Sequence, residues 1–150
     1  MRAVVQRTRN SKVEVEGQIV GSIDKGMVVL LGVEDDDTEK DSSLMAKKIA
    51  KLRIYPDENG KLNHSIGEGK GEVLLISQFT LLGDARKGNR PSFSKAAEPK
   101  LANSLYLLVK KELETTYGLT VETGKFRCNM QVSLLNDGPV TILLDTKKQF

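Results

Sequence analysis

The run MVVLLGV, Met27 to Val33, is continuously apolar and carries three valines. It is too short for a buried helix and rich in β-branched residues, so it predicts a central strand covered on both faces. Toward the amino terminus, Ala3 to Arg7 predicts a strand. Val13, Val15, Ile19 and Ile23 then alternate with polar residues around a hairpin turn at Glu16-Gly17-Gln18. Toward the carboxyl terminus, the acidic stretch Asp35 to Asp41 predicts a helix start. Asp or Thr can cap it, carboxylates favour its positive end, and Leu44, Met45, Ile49 and Leu52 supply an apolar stripe. Pro56 and the turn Asp57-Glu58-Asn59-Gly60 close that unit.

Farther along, Val73 to Ser77 predicts a second buried strand leading into QFTLLGDARKGNRPSF, Gln78 to Phe93. Loops of this length inside a compact domain usually carry function. From about Ser94 to Tyr117 the spacing of Leu101, Leu105, Leu108, Val109 and Leu113 follows one helical face. Pro99 falls in the first turn and Gly118 at the carboxyl-terminal cap. Strands are expected again at Leu119 to Glu122, Met130 to Leu135 and Val140 to Asp145. Composition alone reads Asn136-Asp137-Gly138-Pro139 as a hairpin turn between the last two. Some seven strands against two helices cannot be covered as one flat sheet. The expectation is a single α/β domain over residues 1–150, with a folded-over, barrel-like mixed sheet and both helices on one side. Apolar strand faces left over are candidates for a subunit interface.

The 150 residues are 39% hydrophobic, with 23 Lys and Arg against 20 Asp and Glu, which suits one globular domain with a real core. No run of about 18 apolar residues is present, and MRAVVQRTRNSKVEVEG lacks a cleavage signal, so a cytoplasmic protein without membrane contact is expected. A single cysteine, Cys128, forms no intrachain disulfide and no Cys/His metal cluster, so neither a metal nor a cofactor is expected. The single histidine, His64, in a turn-like LNHS, leaves little room for a Ser-His-Asp or Cys-His device. A net charge of +3 permits an RNA partner without requiring one.

Several local patterns carry little. Gly67, Gly69 and Gly71 imitate a phosphate loop but precede a strand rather than open a helix. Lys47, Lys48 and Lys51 form a basic helix face of a kind that is usually only solvated, and Asp35 to Asp37 are accounted for by capping. Two stretches carry more. Ser77-Gln78-Phe79-Thr80 puts amide and hydroxyl groups at the end of a buried strand, where they can bind a ligand or simply satisfy strand-end hydrogen bonds. Asn136-Asp137-Gly138-Pro139-Val140-Thr141 is the second.

SQFTL at Ser77 to Leu81 together with NDGPVT at Asn136 to Thr141 resembles the paired signature of the D-aminoacyl-tRNA deacylases, enzymes that hydrolyse D-amino acids mischarged on tRNA. MRAVVQR at the start, KGNRPSF at Lys87 to Phe93 and MQVSLLNDGPVT near the end are similar to family segments in family order. The resemblance implies a three-layer α/β/β fold that forms a homodimer with active sites at its interface. It also implies a cis Gly138-Pro139 peptide inserted into the partner's pocket, where main-chain carbonyls reject L-amino acids by clash and let glycine through. Arg7 matches the arginine that holds this loop, Asn136 belongs to the same motif, and Met130 matches a residue near the pocket.

The implied catalytic segment is Ser77, Gln78, Phe79 and Thr80. Thr80 invites assignment as a nucleophile but has no base near it in sequence. The resemblance implies instead hydrolysis assisted by the 2′-hydroxyl of the terminal adenosine, with Gln78, Phe79 and Thr80 orienting adenosine and ester, and this is the preferred reading. Lys87 and Arg90 are the expected tRNA phosphate contacts, and DNA is not an expected partner. The chain departs from the family pattern at Gly124-Lys125-Phe126-Arg127-Cys128, where a small pair commonly follows the phenylalanine. The alternatives are an editing domain acting on L-aminoacyl-tRNA, a non-catalytic tRNA-binding dimer and a metal-dependent hydrolase. Hydrolysis of D- against L-tyrosyl-tRNA, and activity after chelation, separate them.

Overall fold

The computed structural model describes residues 1–149. Its first two strands are longer than their separate apolar patches suggest: β1 runs from Arg2 to Val15 and β2 from Gln18 to Gly32. Glu16 and Gly17, both at positive φ, form the tight turn between them, whose twist matches that of the paired strands. After β2 come α1 (Glu39–Lys51), the short hairpin β3 (Tyr55–Pro56) and β4 (Leu62–His64), and β5 (Glu72–Ser77). Then follow a 3-10 turn (Phe79–Leu82), α2 (Pro99–Thr115), β6 (Val121–Thr123) and β7 (Gln131–Asp145). The main sheet has the order β6-β5-β2-β1-β7. β5 runs parallel to β2 and β6, and the β1 pairings are antiparallel.

The Met27–Val33 run is a central strand buried on both sides, as its composition requires. Met27, Val29 and Leu31 join Val73 and Leu75 beneath the helices, where Met45, Ile49, Leu105, Val109 and Leu113 close the main core. Val28 joins Leu74 and Ile76 on the opposite face, together with Val13 and Ile23 from the far end of the first hairpin. A flat hairpin would carry Val13 and Ile23 clear of β5. Here it curls back until a Cβ built on Gly21 would lie 2.5 Å from the Thr123 carbonyl oxygen, and Asn10, at φ +47, marks the bend in β1. The layers are thus helices, sheet and overfolded hairpin. The sheet curls like part of a barrel without closing, because β6 and β7 remain its edges.

Three further features differ from the sequence reading. α2 begins at Pro99 rather than near Ser94, because the proline holds Glu98 out of the helical region (ψ 153°), and the Glu98 carboxylate caps the N–H groups of Lys100 and Leu101 instead. Leu44 is exposed rather than part of the α1 stripe, and Ser42 takes a core position, donating to the Leu105 carbonyl at 3.1 Å. The third difference concerns the site. Asn136 to Pro139 is not a turn between paired strands, since both flanks pair with β1. Thr8 faces Asn136 and Gln6 faces Thr141, so two steps along β1 are matched by five along β7, and the excess bulges from an edge strand.

Candidate active site

At their carboxyl ends the parallel strands β2 and β5 open onto a cavity of about 610 Å³, the usual scale of a small-ligand pocket. The Gln78 N–H extends the ladder by one bond to the Leu31 carbonyl (2.8 Å), after which the chain turns sharply through Phe79–Leu82. Gly32 permits that turn to close on β2: a Cβ there would lie 2.9 Å from the Gln78 carbonyl oxygen. Ser77, Gln78 and Phe79 line the cavity on one side, Phe126 to Met130 on another, and Ala97, Ala102 and Tyr106 of the α2 region on a third. Among the described residues the lining contains no Asp, Glu, His or Lys, and no cluster of ligating side chains capable of holding a metal ion is present.

The structure therefore brings Ser77, Gln78, Phe79 and Met130 to one pocket. Thr80 stands just outside the lining; it is exposed, and its hydroxyl accepts a hydrogen bond from the Gln78 carboxamide. Phe79 is 58% exposed and packs edge-on against Phe93, ring centroids 5.2 Å apart, leaving an aromatic surface at the mouth. Lys87 and Arg90 lie on the exposed loop beyond it, where Asp84 engages Arg86 through two side-chain bonds of 2.8 and 2.6 Å. His64, on β4, is paired with Tyr55 and does not line the cavity.

Tyr106 was legible from sequence only as a residue within the helical segment. Burial pushes its phenol above the ordinary tyrosine range, and the hydroxyl donates to the Leu75 carbonyl at 2.8 Å, anchoring α2 to the strand that ends in the site. Tyr106→Phe is expected to cost about 1 kcal/mol. The check is a lower urea midpoint at an unchanged m-value.

The bulge on β7 is held from behind. Arg7 donates from Nε to the Asp137 carbonyl (2.8 Å) and from a terminal nitrogen to the Ile54 carbonyl (2.7 Å). The Gln6 carboxamide donates to Asn136. Gly138 has φ +134°, the Gly138-Pro139 peptide is cis, and both residues are exposed. Neighbouring Tyr55 is buried, which pushes its phenol up to about 12.

Gly138 and Pro139 do not reach the cavity of their own chain. Ser77 is level with Leu31 on β2, whereas the bulge is level with Arg7 and hence with Met27, four residues back. Along a flat sheet, at about 3.3 Å per residue and about 4.8 Å per strand, that offset and the three strand spacings would amount to roughly 20 Å, and neither Gly138 nor Pro139 is among the residues lining the cavity.

A curled mixed sheet under two helices, with a mostly apolar pocket at the carboxyl ends of parallel strands, defines an α/β domain built around a ligand site. Comparison with known proteins then specifies which. The family model described as D-Tyr-tRNA(Tyr) deacylase matches residues 4–145, and the chain belongs to that family, whose members are hydrolases acting on ester bonds. The chain is 56% identical over 150 residues to the D-aminoacyl-tRNA deacylase of Thermosipho africanus and 58% identical over 151 residues to that of Kosmotoga olearia, covering all of each chain. Among solved structures it is similar to one titled c-Myc DNA Unwinding Element Binding Protein (TM-score 0.92, 40% identity, 97% of this chain and 99% of that one). A probable eukaryotic D-amino acid tRNA deacylase at 15% identity shares the fold (TM-score 0.82, 95% and 97% covered).

Proposed function

We propose that residues 1–150 form one deacylase domain that hydrolyses the ester of D-aminoacyl-tRNA, and of glycyl-tRNA, releasing free tRNA and amino acid. The observation that carries this reading is the lining of the cavity: amides, the Ser77 and Tyr106 hydroxyls, aromatic rings, Arg127 and Cys128, without, among the described residues, a carboxylate or imidazole to act as general base. An aminoacyl ester is already labile, so orienting it and a water suffices when the neighbouring 2′-hydroxyl of the terminal adenosine assists. Phe79 offers its face to the adenine, Gln78 and Thr80 position ribose and ester, and free N–H groups at the start of the Phe79–Leu82 turn stabilise the oxyanion.

The rest of the reading requires a second copy of the chain. That neither Gly138 nor Pro139 lines the cavity of its own chain is the reason to place them in a partner's cavity, where their carbonyl wall would exclude an L side chain while ignoring side-chain identity. Leu135 (57% exposed) and Leu143 (56% exposed) on the edge strand β7 supply apolar surface for such pairing. Lys87 and Arg90 contact tRNA phosphates, so affinity falls as salt rises.

Purified protein is expected to deacylate D-tyrosyl-tRNA and to spare L-tyrosyl-tRNA. Equal rates on the two, or tight tRNA binding with no hydrolysis, would remove the assignment. A homodimer is expected by sedimentation, with specific activity falling on dilution as it dissociates. A fully active monomer would refute the shared site.

A further inference from the structure

Among the described residues, Arg127 is the only charged one lining the cavity. It sits in a tight turn closed by the Cys128 N–H on the Lys125 carbonyl, at φ +62°, a conformation in which a glycine costs least. No carboxylate of the described residues pairs with it, and its neighbours in the lining, Phe126, Cys128 and Asn129, are uncharged. Arg127 is exposed, so a long cationic side chain held at a left-handed position stands at the rim of a pocket otherwise free of charge among the described residues, with its guanidinium within reach of an anionic group that enters.

We infer that Arg127 binds the 5′-phosphate of the terminal nucleotide of the substrate and so fixes which end of the acylated nucleotide faces Phe126 to Met130. The inference rests on the deacylase reading and deepens it. Such a substrate presents two charges to the pocket: the α-ammonium of the amino acid and the phosphodiester on the 5′ side of the nucleoside. A guanidinium repels the first and forms forked, charge-assisted hydrogen bonds with the second. The ammonium end must therefore lie toward the uncharged Ser77-Gln78 side and the phosphate toward Arg127. Arg127 is on this account a positioning residue. It makes the site selective for a nucleotide over a nucleoside, and takes no part in bond cleavage.

The test compares equilibrium binding of adenosine and of adenosine 5′-monophosphate to the full chain, for the unaltered protein, Arg127→Gly and Arg127→Lys. Glycine adopts φ +62° freely and keeps the turn, and lysine keeps the charge without the fork. The expected result is a roughly tenfold preference for the monophosphate in the unaltered protein, shrinking with salt, abolished in Arg127→Gly and partly kept in Arg127→Lys. No preference in the unaltered protein, or an undiminished one in Arg127→Gly, overturns the inference; so does a loss of both affinities in proportion, which marks a structural role. Hydrolysis of D-tyrosyl-tRNA by the unaltered protein is read in parallel. Its absence overturns the deacylase reading, while the binding ratio still decides the role of Arg127.

Discussion

Replacing the terminal adenosine of a D-aminoacyl-tRNA by 2′-deoxyadenosine is expected to slow its single-turnover hydrolysis by about two to four orders of magnitude, the usual contribution of a positioned acid-base group. The reason is what the cavity lacks. Among the described residues its titratable groups are Arg127, Cys128 and Tyr106, and the Tyr106 phenol is raised by burial and committed to the Leu75 carbonyl. Thr80 lies beside Gln78 and is not hydrogen-bonded to any histidine, so nothing takes its proton. Thr80→Ala should therefore lose less than about tenfold, far below the cost of deleting a covalent nucleophile. An acyl-Thr80 adduct trapped on the enzyme, with indifference to the missing 2′-hydroxyl, would reverse the assignment and restore the nucleophile.

The second large effect is expected at Gly138. A Cβ there would lie 2.9 Å from Val140 Cγ2 and 3.0 Å from both the Val140 nitrogen and an Arg7 guanidinium nitrogen, on a backbone at φ +134° that side chains rarely adopt. Gly138→Ala must therefore shift the bulge. Displacing a wall that positions substrate by an ångström commonly costs about a hundredfold in rate, and kcat/KM for D-tyrosyl-tRNA should fall by that order while the preference over the L-ester narrows. Because Gly138 is exposed on an edge strand, thermal unfolding should move little. Unchanged rate and preference would show that the bulge is no part of the filter.

How far each feature was legible depended on the range of the interaction behind it. Met27–Val33 could be recognised because burial on both faces leaves an uninterrupted apolar run, and α2 could be recognised from Leu105, Val109 and Leu113, whose spacing is set by the helix itself. The start of α2 was misplaced because Pro99 acts on its neighbour Glu98, a local rule that the apolar stripe obscures. The Asn136–Pro139 segment has turn composition, but only the partner strand shows that β7 continues through it. Ser77 to Thr80 stood out because polar groups follow directly on an apolar strand. Tyr106 could not, since it is unremarkable until the fold sets it beside that strand end.

The chain's own order of residues determined the α/β class, the two helices, the central strand and the two motifs whose resemblance named the family, because those depend on periodicity and on short contiguous segments. Tertiary structure alone decided that the first hairpin curls over β5, that the Gly138 bulge does not line the pocket of its own chain, and that Arg127 is the one charge on that pocket among the described residues. These depend on the register of strands and on contacts between residues far apart in the chain. A one-residue slip in register turns every side chain to the other face, and no local pattern records which strand will lie beside which.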